Sequence, residues 1–318
     1  MKIYTAGPYT SAMMPSLLVD SEVFRYKLAK KWVAPDMNIL ESYHYIGKSN
    51  RYTEVIRADK KKIFLDSGAF SMFTLGIDVD LKEYAEFIIE NQDIIEVASN
   101  LDHIGRGTEK QTWKNQKIIE GYGATIQPVH HARDDDKWLA KYLEAGYDYI
   151  FLGGMVPEHT SYLRKWLDRI WDTLLTDSKG RPLVKVHGFG LTTPELMLRY
   201  PWYSVDSASW IMASSTGTIY IPYYNKKLKA TTLKALPFSN KSASLKSRGS
   251  HFNHYAKSEQ KIIRKWFKKY KFKEKNLQGR QYGRGFWNML MFRYIQDNTD
   301  WPKKFINVHR GLFDEFQP

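Results

Sequence analysis

Short runs rich in β-branched and aromatic residues recur along the first two thirds of the chain, each followed by a polar or glycine-containing turn and then a stretch of helical period. The runs lie at residues 2–6, 38–43, 62–66, 94–99, 125–129, 149–153, 183–187 and 203–206, and runs of this length bounded by turn formers predict strands. Apolar positions spaced three and four apart predict helices between them, over 16–32, 81–91, 108–121, 135–145 and 159–175, with shorter ones over 52–60 and 193–199. Pro194 stands where a helix can start. Strands that alternate with helices pair in parallel, because the crossover helix carries the chain back to the end of the sheet where the previous strand began. Eight such units within about 210 residues predict an α/β fold, a (β/α)8 TIM-like barrel. An open doubly wound sheet is the alternative, but no G-x-G-x-x-G follows the first run, so a dinucleotide site has little support.

Beyond Trp210 the pattern changes. Residues 217–224, GTIYIPYY, read as a strand or extended arm, and 240–250 as a Ser/Lys/Asn-rich loop. Over 258–269 an amphipathic helix is predicted, with Ile262, Ile263, Trp266, Phe267 and Tyr270 on its apolar side. A second helix is predicted over 285–297, carrying Phe286, Leu290 and Tyr294. The expected division is a barrel over 1–215 and a basic, mainly helical C-terminal appendage over 216–318.

Charge sharpens that division. Residues 1–210 hold 26 Lys and Arg against 28 Asp and Glu, whereas residues 211–318 hold 22 against 6, so the whole net charge of +14 originates in the last third. A near-neutral body with a basic appendage suggests a polyanionic partner, nucleic acid first. Lys261, Arg264, Lys265, Lys268 and Lys269, together with Arg280 and Arg284, are the candidates for phosphate contacts, while the aromatics among them read as the packing core of the appendage. Of the 318 residues 43% are hydrophobic and 15% aromatic, enough for a large core, which removes disorder as the default. The absence of cysteine excludes a disulfide scaffold and a cysteine zinc site. With no apolar run of about 18 residues and no signal-peptide core near the start, the expectation is a soluble cytoplasmic protein with no membrane partner.

In a (β/α)8 barrel the chemistry sits at the C-terminal ends of the strands. Those ends are polar here: Asp66-Ser67-Gly68 after the third run, Asp102-His103 beyond the fourth, Gln127 and His130-His131 at the fifth, Gly153-Gly154 at the sixth, His187-Gly188 at the seventh and Asp206-Ser207 at the eighth. Several carboxylates converging on one mouth raise its energy unless a proton or a substrate relieves them, which argues for function. Taken singly, each Asp or Ser also suits a helix N-cap. Paired carboxylates at an anomeric carbon are what double-displacement glycosyl transfer needs. His103, His130, His131 and His187 with Asp206 offer the alternative of a metal-dependent hydrolase, although no H-x-H pair lies at a strand end.

The segment Phe64-Leu65-Asp66-Ser67-Gly68-Ala69-Phe70 resembles the D-S-G-G-(F/Y)-Q signature of the tRNA-guanine transglycosylase family. In chain order, Asp102 resembles the family's base-recognition aspartate, Gln127 its Q-G turn, Gly153-Gly154-Met155 its G-G-L-A turn, and Asp206 in Val205-Asp206-Ser207 its nucleophilic aspartate. The likeness covers about residues 60–215, and V-D-S-A-S-W in a cysteine-free chain looks most like the phage-type enzymes that exchange guanine in DNA for a 7-deazaguanine. Ala69 stands for the family's second glycine, Pro128 for the glycine after glutamine, and the family's structural zinc site has no counterpart.

The resemblance implies a (β/α)8 barrel in which Asp206 attacks C1′ of a deoxyguanosine, Asp66 serves as general acid and base, and Asp102 reads the Watson–Crick edge. Ser67, Gly68, Gln127, Gly153 and Gly154 would complete a base pocket, glycine being needed where a flat base lies against the backbone. No cofactor is implied. The partners would be a free 7-deazaguanine base such as preQ0 and DNA, single-stranded or with its guanine flipped out of the duplex. A homodimer and, for a phage-encoded enzyme, the host cytoplasm are further implications. Exchange of guanine in tRNA is the near alternative, and a non-catalytic nucleic-acid-binding protein the distant one.

Overall fold

The computed structural model describes residues 1–11, 37–77, 79–105, 107–156, 158–245 and 250–306. The helix expected over 16–32 lies outside the described residues. Eight strands form one sheet in the order β4-β3-β2-β1-β8-β7-β6-β5: β1 Lys2–Ala6, β2 Asn38–Ser42, β3 Ile63–Asp66, β4 Ile95–Ala98, β5 Val129–His131, β6 Tyr149–Gly153, β7 Lys185–Gly188 and β8 Ser204–Ser207. The pairings run parallel, as alternation with helices predicts. After β2 come α1 (Tyr43–Ile46) and α2 (Asn50–Ala58), and after β3 come α3 (Ala69–Leu75) and α4 (Leu81–Glu90). The following strands lead into α5 (Glu109–Gly121), α6 (Lys137–Glu144), α7 (Thr160–Ile170) and α8 (Pro194–Met197) in turn. Every residue of β6, YIFLG, is buried, the continuous apolar run expected of a parallel strand covered on both faces.

Between the two ends of this strand order, Ser99 and Gln127 form a parallel bridge. The Gln127 N–H donates to Ala98 O at 2.9 Å, and the Asn100 N–H donates to Gln127 O at 2.8 Å. The strand expected over 125–129 is displaced to Val129–His131 because Pro128 has no N–H to give the ladder; its carbonyl still accepts from Phe151 N at 2.9 Å. Likewise the strand expected over 183–187 begins at Lys185. Leu183 is 58% exposed and its N–H turns back to Leu175 O at 2.9 Å, closing a local turn instead. The long helix expected over 159–175 changes to a π-turn at Trp171–Leu175, which keeps Trp171 and Leu175 buried.

The chain divides into two compact units. One comprises residues 1–4 and 39–206 and carries the sheet; the segment from Trp301 belongs to it as well. In that segment Phe305 N donates to Gly180 O at 2.8 Å and its ring packs 5.4 Å from Tyr200. The other unit comprises residues 207–300 with 5–11 and 37–38 among the described residues. It contains α9 (Ser209–Ser215), the antiparallel hairpin of β9 (Thr218–Asn225) and β10 (Ala230–Pro237), and the helices α10 (Lys257–Lys269), α11 (Glu274–Gly279) and α12 (Gln281–Asn298).

Helix α12 is buried from Gly283 through Phe292, so it has no polar face and its true length is hidden from periodicity. Its polar side chains are spent inside the unit: Asn288 Nδ2 donates to Trp210 O (3.0 Å) and Thr218 O (3.2 Å), and its Oδ1 accepts from Tyr220 N (2.8 Å). No helix among the described residues is long and apolar enough to cross a membrane.

Candidate active site

Asp102, in the loop beyond β4, and Asp206, in β8, both lie within electrostatic reach of Asp66 at the end of β3. Burial, followed by the charges of Asp102 and Asp206, pushes the Asp66 carboxyl up to about 7 from its ordinary 3.8, while a hydrogen bond from the Gly68 N–H to Oδ2 (3.0 Å) pulls the other way. A carboxyl poised near neutrality can both give and take a proton at working pH.

The turn that follows Asp66 is held by β4. Ser67, fully buried, donates its N–H to Ser99 Oγ at 2.8 Å, and Tyr84 of α4 donates its hydroxyl to Ser99 O at 2.8 Å. Gly68 has φ +81°, and a Cβ there would lie 2.6 Å from Ser42 Oγ and 2.7 Å from His44 Cβ. Gly68→Ala is therefore expected to cost about 2–4 kcal/mol in urea unfolding, combining left-handed strain with overpacking. A loss below about 0.5 kcal/mol would show that the turn opens freely.

Helix α5 fixes the Asp102 loop: Asn115 Nδ2 donates to Leu101 O (2.8 Å), Thr112 Oγ1 accepts from His103 N (3.0 Å), and Asn100 Nδ2 donates to Thr112 O (2.9 Å). Asp102 Oδ2 meets His131 Nε2 at 2.8 Å. Burial disfavours the charged His131 ring, but the bond to Asp102 and the charges of Asp102, Asp134 and Glu109 outweigh it and raise the pKa. His131 is the last residue of β5.

Gly153 and Gly154 have a reason of their own to be glycine. A Cβ on Gly153 would lie 2.7 Å from His131 Cδ2, and one on Gly154, at φ +67°, would lie 3.1 Å from His131 Cβ. The His131 side chain lies against this stretch of backbone. Gln127 is half-buried and joined to β4 through its backbone.

Asp206 is 7% exposed; its Oδ1 accepts from Gly190 N at 2.8 Å and faces His187 Nε2 at 3.3 Å. Behind it the ring Nδ1 lies 2.6 Å from Ser204 Oγ, which lies 2.6 Å from the Tyr149 hydroxyl. Tyr149 and Ser204 were not singled out from the sequence, although Ser204 and Asp206, two apart on β8, had to share a face.

The histidines of the hydrolase alternative are scattered. His103 is exposed, His131 pairs with Asp102, His187 faces Asp206, and the buried His130 nitrogens stay 3.8–3.9 Å from Asp136 and Asp134. Among the described residues no three His, Asp or Glu side chains are grouped as a metal ion would need.

In the second unit, Lys261, Lys265 and Lys268 are exposed along one face of α10, spaced four and three residues apart. Arg264 is also exposed but is held by Glu274 through two bonds of 2.7 and 3.2 Å. Lys269 lies over the rings of Trp266 (5.3 Å) and Tyr270 (5.2 Å), and Arg280 bonds the Tyr282 hydroxyl. Arg284 departs from its expected role: it is 5% exposed and donates to Ser214 O (2.9 Å) and Leu277 O (3.0 Å), so it ties α12 to its neighbours instead of facing phosphate. Its burial was invisible because α12 lacks a polar face.

Compared with models of known protein families and with curated proteins, the chain matches none.

Proposed function

We propose that this protein is a glycosyltransferase that exchanges guanine in DNA for a free 7-deazaguanine base, by double displacement through a covalent sugar–Asp206 intermediate, on a sheet closed into a (β/α)8 barrel. The Ser99–Gln127 bridge between the two ends of the strand order supports that closure. The observation that carries the reaction is the pairing of unlike carboxyls. Asp66 is held near neutrality by burial and by Asp102 and Asp206, as a general acid and base requires, whereas Asp206 is aimed by a backbone N–H and an imidazole, as a nucleophile requires.

In this reading Asp206 attacks C1′ and the C1′–N9 bond breaks while Asp66 delivers its proton to the departing guanine. The incoming base then loses its N9 proton to Asp66 as it displaces the aspartate, so protons and bonds balance over the cycle. The unshared oxygen of Asp102 accepts from the N–H donors of the base edge, with Ser67, Gly68, Gln127, Gly153 and Gly154 around it. Lys261, Lys265 and Lys268, aided by Lys269, Arg264 and Arg280, neutralise phosphates, and no cofactor takes part.

The test supplies duplex DNA or tRNA carrying radiolabelled guanine, with preQ0 and EDTA present, and measures released guanine. Release from DNA alone is the expected result; release from tRNA alone would reassign the substrate, and release from neither would remove the proposal. Replacing Lys261, Lys265 and Lys268 together by Gln is expected to flatten the salt dependence of DNA binding by about three in log–log slope.

A further inference from the structure

His187 is buried to 0% exposure inside a cage of rings, with centroids of Phe64 at 4.5 Å, Phe189 at 4.7 Å, Phe151 at 5.4 Å and Tyr4 at 6.0 Å. The register places His187 of β7 directly across from Ser204 of β8, and alternation puts Ser204 and Asp206 on the same face of that strand. One imidazole therefore spans both, with Nδ1 at 2.6 Å from Ser204 Oγ and Nε2 at 3.3 Å from Asp206 Oδ1. Beyond Ser204 the row ends on the Tyr149 hydroxyl, 2.6 Å away, which has no other hydrogen-bond partner among the described residues.

Only one direction of donation gives both hydroxyls in this row an acceptor. If Nδ1 carried the proton, it would donate to Ser204, the serine to Tyr149, and the tyrosine proton would have no acceptor; the bare Nε2 lone pair would then confront the Asp206 carboxylate. In the reverse direction Tyr149 donates to Ser204, Ser204 donates to Nδ1, and Nε2–H lies on the Asp206 side, 3.3 Å from Oδ1 and short of hydrogen-bond geometry, so that both hydroxyls have acceptors and the carboxylate faces an N–H dipole instead of a lone pair.

We propose that His187 is a positioning residue for Asp206: a neutral imidazole, fixed as the Nε2–H tautomer by the Tyr149–Ser204 pair, that orients the carboxylate for attack. Burial lowers the pKa of the ring more than Asp206 raises it, in keeping with a neutral donor. Neutrality matters, because an imidazolium would bind the carboxylate as a full ion pair and blunt its attack, whereas a neutral N–H orients it. The functional half of this inference rests on Asp206 being the nucleophile; the tautomer does not.

The tautomer is read in the wild-type protein by long-range proton–nitrogen NMR with 15N-histidine, the His187 signals being assigned by their loss in His187→Gln. The neutral Nε2–H pattern at pH 7 is expected, and either an Nδ1–H ring or a doubly protonated ring would overturn the proposal. Ser204→Ala, which leaves Nδ1 without its donor, is expected to convert that pattern into a tautomer mixture. In guanine exchange, His187→Met is expected to lower kcat about 10–100-fold, the usual range for groups that orient a reacting ligand, without changing KM for DNA or free base. His187→Gln, whose amide can replace the Nε2–H, is expected to stay within about fivefold of wild type, a rescue that a purely structural role would not show. An unchanged kcat in a folded His187→Met protein would sink the positioning role. Wild-type protein inactive on both DNA and tRNA would sink the parent reading, while the tautomer measurement would still decide the hydrogen-bonded row.

Discussion

Asp206→Asn is expected to remove guanine release almost completely, by about 10⁴-fold or more in kcat, while leaving the fold and DNA affinity in place. Asparagine is isosteric and can still accept from Gly190 N, so the loop between β7 and β8 keeps its anchor. What it cannot do is form the ester-like bond to C1′. The direct check is a denaturing gel of protein mixed with DNA and no acceptor base, in which wild type shows a covalent adduct and the variant shows none. An adduct that persists in Asp206→Asn would assign the nucleophile to another carboxyl, Asp66 first. The same substitution removes one of the two neighbouring charges that raise the Asp66 pKa, so that pKa is expected to fall in the variant.

Asp66→Asn is expected to lower kcat by about 10²–10⁴-fold and, more tellingly, to abolish two opposed pH limbs. With a carboxyl titrating at about 7, guanine release in a single turnover needs the protonated form and declines as pH rises above that value. The second half-reaction needs the ionised form and declines as pH falls below it. A variant that keeps either limb would show that another group moves the proton.

The same carboxyl links stability to pH. Its folded-state pKa lies above the ordinary 3.8, so the folded protein holds a proton that the unfolded chain has lost. The stabilising contribution is complete below pH about 4 and is lost as pH rises through about 7. Asp66→Asn removes that penalty, so its stability relative to wild type is expected to improve by about 1–4 kcal/mol between pH 4 and pH 8 in urea unfolding. A difference independent of pH would show that Asp66 ionises normally in the folded protein.

How far the site could be read from the chain depended on the kind of interaction involved. Asp66 and Asp206 were visible because they lie in the last two residues of their strand runs, and Asp102 because it follows the fourth run within a few residues, where the chain turns polar. The helix α3 and the strand β10 were missed. Phe70, Phe73 and Leu75 of α3 are exposed, so no buried face gives that helix a period, and β10 exists by pairing with β9. Arg284 read as a surface cation because charge in a sequence carries no sign of burial; two carbonyls, from Ser214 and Leu277, make that burial tolerable.

By itself the sequence determined the alternation of strand and helix, the eight strands of the sheet, the polar strand ends and the concentration of positive charge in the last third, since each depends on composition or on a period of two or 3.6 residues. Tertiary structure alone decided which of those polar groups meet. His131 came to Asp102, His187 came to lie between Ser204 and Asp206, and Gly153 and Gly154 left room for the His131 ring. Those meetings depend on the register between neighbouring strands and on the courses of the loops, which bring together residues far apart along the chain and leave no trace in local spacing.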